Sequence, residues 1–513
     1  MFSSLKIQEN NKIDRREILY FISILILFLY IAMFFISSLV TFDENDFMYG
    51  IAPALLDHWT LYRELPFMQA PLSIHVYALV LSLVEPASYY VSLRLVSIAF
   101  VAATSVLVYK TVRHLGGRQA AIFSLILFYS SYHLQYISSE IGNYTIALFF
   151  VIAATYIYFT KSLNWLNTGL IGLCIGLAGS AKITHGLFAV PFGILLLLRY
   201  GVFSNQILSY LIFGLIGSSL IIYYAILDYP SFYFFNLKIH LIINEFREAN
   251  FAGQLRGIVT ATKHVALWFA PNIVIVCIAL RLSRDRHQVC TLAELAFLAI
   301  AAYAIAMSPK FIFDQYLAPI PAFLCLATPL ALSMLAMCKP SSWWRIKAIS
   351  LLVIVCLTIP YVSMVAAPQV MMAYRGKLAP IEVARVSQEI NGIAEQISLN
   401  PGCRHSAISL SGIPFFGTPF ELLPFGSAGR FLAQLNGMRA KLDVPFDRFA
   451  DPDSELRRSP PTALLVGYFP QNTVEAAMRA YAVANDYVKF DIAAFGGGGA
   501  LELFLRPKCV NRE

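Results

Sequence analysis

Long uninterrupted apolar runs restrict this chain more than any other feature. Phe21 to Val40 and Leu351 to Ala367 are apolar on every face, and comparable runs recur across the first 367 residues. At a rise of about 1.5 Å per residue, roughly 17 to 25 such residues cross a hydrocarbon core about 30 Å thick. Lipid offers no hydrogen bonds, so only helices and closed barrels can span it. Barrel strands alternate polar and apolar residues, which these runs do not, and helices follow. With 58% hydrophobic and 13% charged residues over 513 positions, the chain also lacks the polar surface needed to cover a water-soluble core of this size.

The expected class is therefore an α-helical polytopic membrane protein of about eleven spans. They are placed near residues 17–40, 88–109, 119–137, 140–160, 164–180, 183–199, 206–227, 257–281, 290–308, 315–337 and 345–367. The basic N-terminus (Lys6, Lys12, Arg15, Arg16) followed by Ile18 to Val40 reads as a retained signal anchor, because the apolar run is too long for a cleaved signal and no small-residue site follows it. Lys and Arg in short loops are held in the cytoplasm. Lys110, Arg113 and Arg118, then Lys161, Arg199, the Arg281/Arg284/Arg286 cluster, and Lys339, Arg345 and Lys347 fall in alternate loops, which puts the N-terminus inside and the C-terminal region outside. The net charge of +8 reflects this topology, and its spread over several loops argues against a nucleic-acid partner. Short loops suggest a bacterial inner membrane as the location.

Two domains are expected. Residues 1–367 form the membrane domain, with long outer loops at 41–88 and 228–257. Residues 368–513 form an extracytoplasmic α/β domain. In the first loop, Pro66 and Pro71 break the chain before an interfacial piece, Leu72 to Val84; the second, rich in aromatics and mixed charge, suits an amphipathic surface helix. The outer domain reads as helix 381–398, strands 406–410 and 463–467, helix 474–485 and two late strands flanking Gly496 to Gly499. That glycine run lacks the Lys-Ser/Thr of a phosphate-binding loop and reads as a hairpin tip. Of eight cysteines, Cys403 and Cys509 are the two in the outer domain. Oxidising conditions would let them pair; two buried thiols are the alternative.

Acidic residues at the outer membrane boundary are the best chemical clue, since charge there is costly unless used or paired. Asp43 and Glu44 follow the first span directly, and Glu140 sits in the short turn Ser138-Ser139-Glu140-Ile141-Gly142-Asn143. Two such sites could divide nucleophile activation from acceptor positioning. Asn143-Tyr144-Thr145 fits a glycosylation sequon, but its place at a helix start leaves it unmodified. Basic residues placed near the same face are Lys182, Arg256, Lys263 and Lys310, which could stabilise negative charge developing there. A lysine there can equally serve as an anchor that snorkels to lipid phosphates.

In order and sidedness the strings Asp43-Glu44, Gln69-Ala70-Pro71-Leu72, Arg94-Leu95, Glu140, Gly176 to Lys182 and Asp314-Gln315-Tyr316-Leu317-Ala318-Pro319-Ile320-Pro321 resemble the membrane glycosyltransferases of the C-type (GT-C) fold. The likeness is to the protein O-mannosyltransferase and lipid A aminoarabinose transferase group and covers most of residues 15–340. The resemblance implies an inverting transfer of a sugar from a polyprenyl-phosphate donor, on the outer leaflet, to an envelope glycan, lipid or protein acceptor. It assigns the base to Asp43, with Glu140 as partner, and places Glu44, Arg94, Lys182, Lys310, Gln315 and Tyr316 among the substrate-binding residues. Two departures bear on donor and acceptor identity: Glu140 stands where aspartate is usual, and Gln69 where a basic residue often precedes the prolines.

No cofactor is expected. His240 and Glu245 could join Asp43 or Glu140 around a divalent metal, but cationic side chains make one unnecessary. Two other classes stay open. A transporter or flippase of lipid-linked saccharides would carry ionisable residues deep in its spans, where Arg94 is the main example; a non-catalytic envelope-assembly scaffold would make the outer domain the working part.

Overall fold

The computed structural model describes residues 51–239 apart from 54, 57, 58, 66 and 140, together with 259, 270–307, 314–338, 379–396, 406–409, 415, 417–422, 456–457, 460–467, 473–492 and 500–510. Among the described residues, five helices are long and apolar enough to cross a membrane, or six when the pair Asn205–Gly217 and Ser219–Leu227, bent by 52°, counts as one span. The five are Tyr89–Ser130, Asn143–Thr160, Ile183–Tyr200, Arg286–Met307 and Pro319–Met337; Pro71–Leu81, Trp165–Ala181 and Ala270–Leu282 are shorter apolar helices. The chain is a polytopic helical membrane protein with a C-terminal domain built on a β-sheet. The expected spans at 17–40 and 345–367 fall outside the described residues.

Tyr89–Ser130 contains 42 residues, about 63 Å if straight and twice what a bilayer core requires. It breaks at Gly117 (φ 82°, ψ −176°), a backbone region open to glycine because it has no Cβ. Ser333 Oγ donates to the Gly116 carbonyl at this break (3.2 Å). Where the sequence suggests a third span running to 137, the helix stops at Ser130. Ser131 adopts an extended conformation, its N–H closing on Phe128 O, and the separate short helix Tyr132–Ser139 follows.

Trp165–Ala181 and Asn205–Gly217 approach backbone to backbone. A Cβ on Gly172 would stand 2.0 Å from Tyr210 O, one on Gly176 2.3 Å from Gly214 O, and one on Gly217 2.4 Å from Leu173 O. Lipid supplies no hydrophobic force between helices, so small residues that allow close contact fix such pairs. Each helix begins on a side-chain cap, Asn164 Oδ1 accepting from Asn167 N–H and Ser204 Oγ from Ile207 N–H. The bundle interior is filled by Phe128, Val151, Ala178, Phe188 and Phe323, while Leu198, Leu211, Leu215 and Ile226 are exposed, the outward apolar face that lipid accepts.

The two ends of the bundle differ. One end gathers Lys161, Asn164, Tyr200 and Ser204, with Tyr200 O–H donating to Leu163 O and Arg199 paired to Glu294 (3.3 Å). At the other, Pro71–Leu81 starts on a proline, whose fixed φ and missing N–H suit a first turn, and buries Ser73, Ile74 and Tyr77 against neighbouring helices.

The C-terminal domain is a five-stranded mixed sheet in the order β2-β1-β3-β5-β4, with β1 Ser406–Ser409, β2 Glu421–Leu422, β3 Ala463–Val466, β4 Val488–Ile492 and β5 Leu501–Leu505. β1 pairs in parallel with β2 and β3; β5 runs antiparallel to β3 and β4, with Val488 facing Leu505 and Ile492 facing Leu501. β1 and β3 are buried throughout, whereas β4 alternates as an edge strand. Helices Ala379–Gln396 and Thr473–Ala484 accompany the sheet. One buried hydrophobic cluster contains Ile74, Tyr77, Tyr224 and Phe232 as well as Val386, Ala407, Leu465 and Leu503. The domain therefore adjoins the Pro71–Leu81 end of the bundle.

Candidate functional site

Residues far apart in sequence meet at that end. Ala70 is extended (φ −62°, ψ 149°) before Pro71, and the turn is held by Tyr62, whose O–H donates to Gln69 O (2.6 Å). Gln69 Oε1 accepts from Asn143 Nδ2 at 2.6 Å. Asn143 opens its helix after the extended Gly142. The Tyr77 hydroxyl fixes that start, donating to Gly142 O (2.8 Å), accepting from Gly142 N–H (3.1 Å) and lying 3.0 Å from Ser97 Oγ.

Lys182 breaks the chain between Trp165–Ala181 and Ile183–Gly186 with an extended backbone (φ −151°, ψ 118°). Ser73 Oγ donates to Ala181 O at the break (3.2 Å). The lysine is 5% exposed. Its Nζ donates to Asn143 Oδ1 (3.5 Å) and stands 3.7 Å from the Tyr144 ring centre and 5.2 Å from that of Tyr316. The two rings are 5.7 Å apart. A buried ammonium is costly in a low dielectric. Aromatic faces and an amide oxygen offset that cost through their negative potential. The arrangement holds a cation in position beside an amide and two aromatic rings, which suits recognition of an anion.

Of the residues singled out from sequence, the structure brings Lys182 and Tyr316 together. Arg94 is buried at 1% exposure, its guanidinium carbon 5.2 Å from the Tyr90 ring, one turn before the Ser97 that meets Tyr77. Gln315 shares the 3-10 turn Asp314–Leu317 with Tyr316, its side chain lying outside the described residues. Asp43, Glu44, Glu140, Arg256, Lys263 and Lys310 are outside the described residues, as are His240 and Glu245. Cys509 is disulfide-bonded; Cys403 is not among the described residues. Asn143, Tyr77, Tyr144 and His185 were not singled out as site residues. The strings containing Gln69 and Asn143 carried a signal, but only the fold shows that the two amides meet.

A helical bundle with its polar constellation at one end, capped by a sheet domain on the same side, defines the class: the chain has the C-type fold of membrane glycosyltransferases. Residues 80–235 match the family described as dolichyl-phosphate-mannose-protein mannosyltransferase. The solved structure of ArnT from Cupriavidus metallidurans bound to undecaprenyl phosphate is similar at a TM-score of 0.60 with 14% identity, covering 97% of this chain and 99% of that one. Its apo state is similar at a TM-score of 0.58, with the same identity and coverage. No curated protein sequence matches the chain.

Proposed function

We propose that this protein transfers a sugar from a polyprenyl-phosphate donor to an envelope glycan, glycolipid or protein on the outer face of the plasma membrane, with about eleven spans, the N-terminus in the cytoplasm and the C-terminal domain outside. The observation that carries the reading is the buried Lys182 ammonium, held by Asn143, Tyr144 and Tyr316 in a fold shared with a protein solved with undecaprenyl phosphate bound.

In the proposed reaction an acceptor hydroxyl attacks the anomeric carbon from the face opposite the phosphate. The new C–O bond forms as the bond to phosphate breaks, inverting the configuration. Asp43 takes the hydroxyl proton, Glu140 orients the acceptor, and the bonding pair leaves with the polyprenyl phosphate. Lys182 stabilises the charge that collects on it; Lys310 is a second phosphate contact, and Arg256 and Lys263 are further candidates. Glu44, Arg94, Gln315 and Tyr316 complete the binding residues. Cations placed where charge develops lower the barrier without solvent rearrangement, so no step needs a metal.

The test is incubation of the lipid-reconstituted protein with a panel of polyprenyl-phosphate sugars and an envelope extract, following release of free polyprenyl phosphate. Wild-type release that is lost in Asp43→Asn supports the reading. Saccharide movement across the bilayer with no covalent product would replace it with a transporter.

A further inference from the structure

His185 lies one turn after Lys182, its N–H donating to the Lys182 carbonyl (2.9 Å). It is 3% exposed. Its ring stands edge-on to Tyr144, with centres 6.1 Å apart, and 6.2 Å from Phe188. Among the described residues, neither ring nitrogen has a hydrogen-bond partner. Buried polar groups are almost always paired, and one left without a partner costs free energy that a phenylalanine in the same aromatic pocket would avoid. The same Tyr144 ring lies against the Lys182 ammonium, so both side chains border one aromatic ring.

Resting on the function proposed above, we infer that His185 is a second binding group for the phosphate of the lipid-linked donor, a ring N–H donating to a phosphate oxygen while Lys182 supplies charge. The ligand class is a polyprenyl monophosphate or its sugar ester. Neutral imidazole suffices, because one nitrogen always carries a proton. Among the described residues the ring meets the aromatic rings of Tyr144 and Phe188; the phosphate would supply an acceptor. This gives a reason for histidine at a site that packing alone would fill with phenylalanine.

The experiment measures the affinity of the full chain in lipid nanodiscs for a polyprenyl monophosphate, with the unphosphorylated polyprenol as control, for wild type, His185→Phe, His185→Ala and His185→Gln. Unliganded thermal stability is recorded for each. Loss of a hydrogen bond to a charged group weakens binding by about tenfold or more, so the expected result is that drop in His185→Phe with unliganded stability unchanged or raised. His185→Gln, which keeps an N–H, stays within a few-fold of wild type. His185→Ala serves the same comparison if the phenylalanine variant does not fold. Equal affinity of wild type and a folded His185→Phe or His185→Ala overturns the inference while leaving the glycosyltransferase reading intact. A wild type that binds the monophosphate no better than the polyprenol overturns both.

Discussion

Asn143 donates to Gln69 Oε1 at 2.6 Å, which orients its amide so that the oxygen faces Lys182 Nζ at 3.5 Å. The Gln69 turn therefore fixes the lysine through an intermediary. Asn143→Ala should leave Lys182 in place beside the tyrosine rings but with more freedom, while Asn143→Asp would set a carboxylate against its ammonium. Because a hydrogen bond to a charged group contributes about 1.5–3 kcal/mol, transfer by Asn143→Ala should fall roughly tenfold or more, mainly through the donor KM. Asn143→Asp should fall further. Initial rates over a donor titration separate the two, and an unchanged KM in both would remove Asn143 from the site.

Lys182 itself offers a sharper contrast. Lys182→Met keeps the hydrocarbon volume that packs on Tyr144 and removes the charge. Loss of a group that stabilises developing negative charge costs about a hundredfold or more in rate, so kcat should drop by that order with folding preserved. Tyr144→Phe retains the ring face 3.7 Å from the ammonium and should cost little, whereas Tyr144→Leu loses a desolvated cation–π contact of about 2 kcal/mol. Donor turnover and thermal unfolding of the four proteins, measured together, distinguish lost chemistry from lost packing.

How far the sequence alone reaches follows from what each residue depends on. Span positions such as Asn143–Thr160 and Arg286–Met307 are local properties of apolar run length, so they were legible. The edge strand Val488–Ile492 shows its alternation in the letters VKFDI, but β2 is only two residues long, and its pairing with Ser406 and Ala407 is set by tertiary contact. The break at Gly117 falls where the sequence separates spans 88–109 and 119–137, in the Gly116-Gly117 pair, although the helix runs on through residues 110–118 that the sequence reads as a loop. At the site, Lys182 and Tyr316 stood in recognisable strings. Asn143 read as the start of a sequon and His185 as one residue of an apolar run, because their roles rest on partners 74 residues away in one case and on ring packing in the other.

The glycine contact predicts where stability is most sensitive. A Cβ at Gly172 would fall 2.0 Å from Tyr210 O and one at Gly176 2.3 Å from Gly214 O; backbone atoms on the facing helix cannot rotate away. Gly172→Ala should force the helices apart and destabilise by about 1–3 kcal/mol or more, the range of overpacking. Gly392, in the helix Ala379–Gln396, would meet nothing within 4 Å, so Gly392→Ala should stabilise by up to about 1 kcal/mol through helix propensity. Thermal unfolding in lipid should move in opposite directions for the two variants.

Cys509 is buried and disulfide-bonded, and Cys403 is the partner expected from sequence. Peptide mapping under non-reducing conditions should recover the two linked. Reduction should then destabilise the C-terminal domain by about 2–4 kcal/mol. A Cys509 peptide linked to any other cysteine would replace the pairing.

The last prediction concerns pH and the C-terminal sheet. Glu502 on β5 accepts from Arg479 Nε at 2.6 Å and meets Lys489 Nζ at 2.8 Å. Burial pushes its carboxyl upward, but hydrogen bonds from Lys489 and Arg479, with their charges, outweigh that and hold it below the usual carboxylate range. A carboxyl depressed in the folded state binds its proton more tightly when unfolded. Its stabilisation is therefore complete above the unfolded value, about 4.3, and is lost as pH falls through the lower folded one. The partners are partly exposed, so the effect is at most about 1 kcal/mol and shrinks with salt. Hydrogen exchange of the β4–β5 amides should show protection in wild type declining below about pH 4. In Glu502→Gln the starting protection should be lower and this decline absent; an equal decline in both would assign the acid sensitivity to another group.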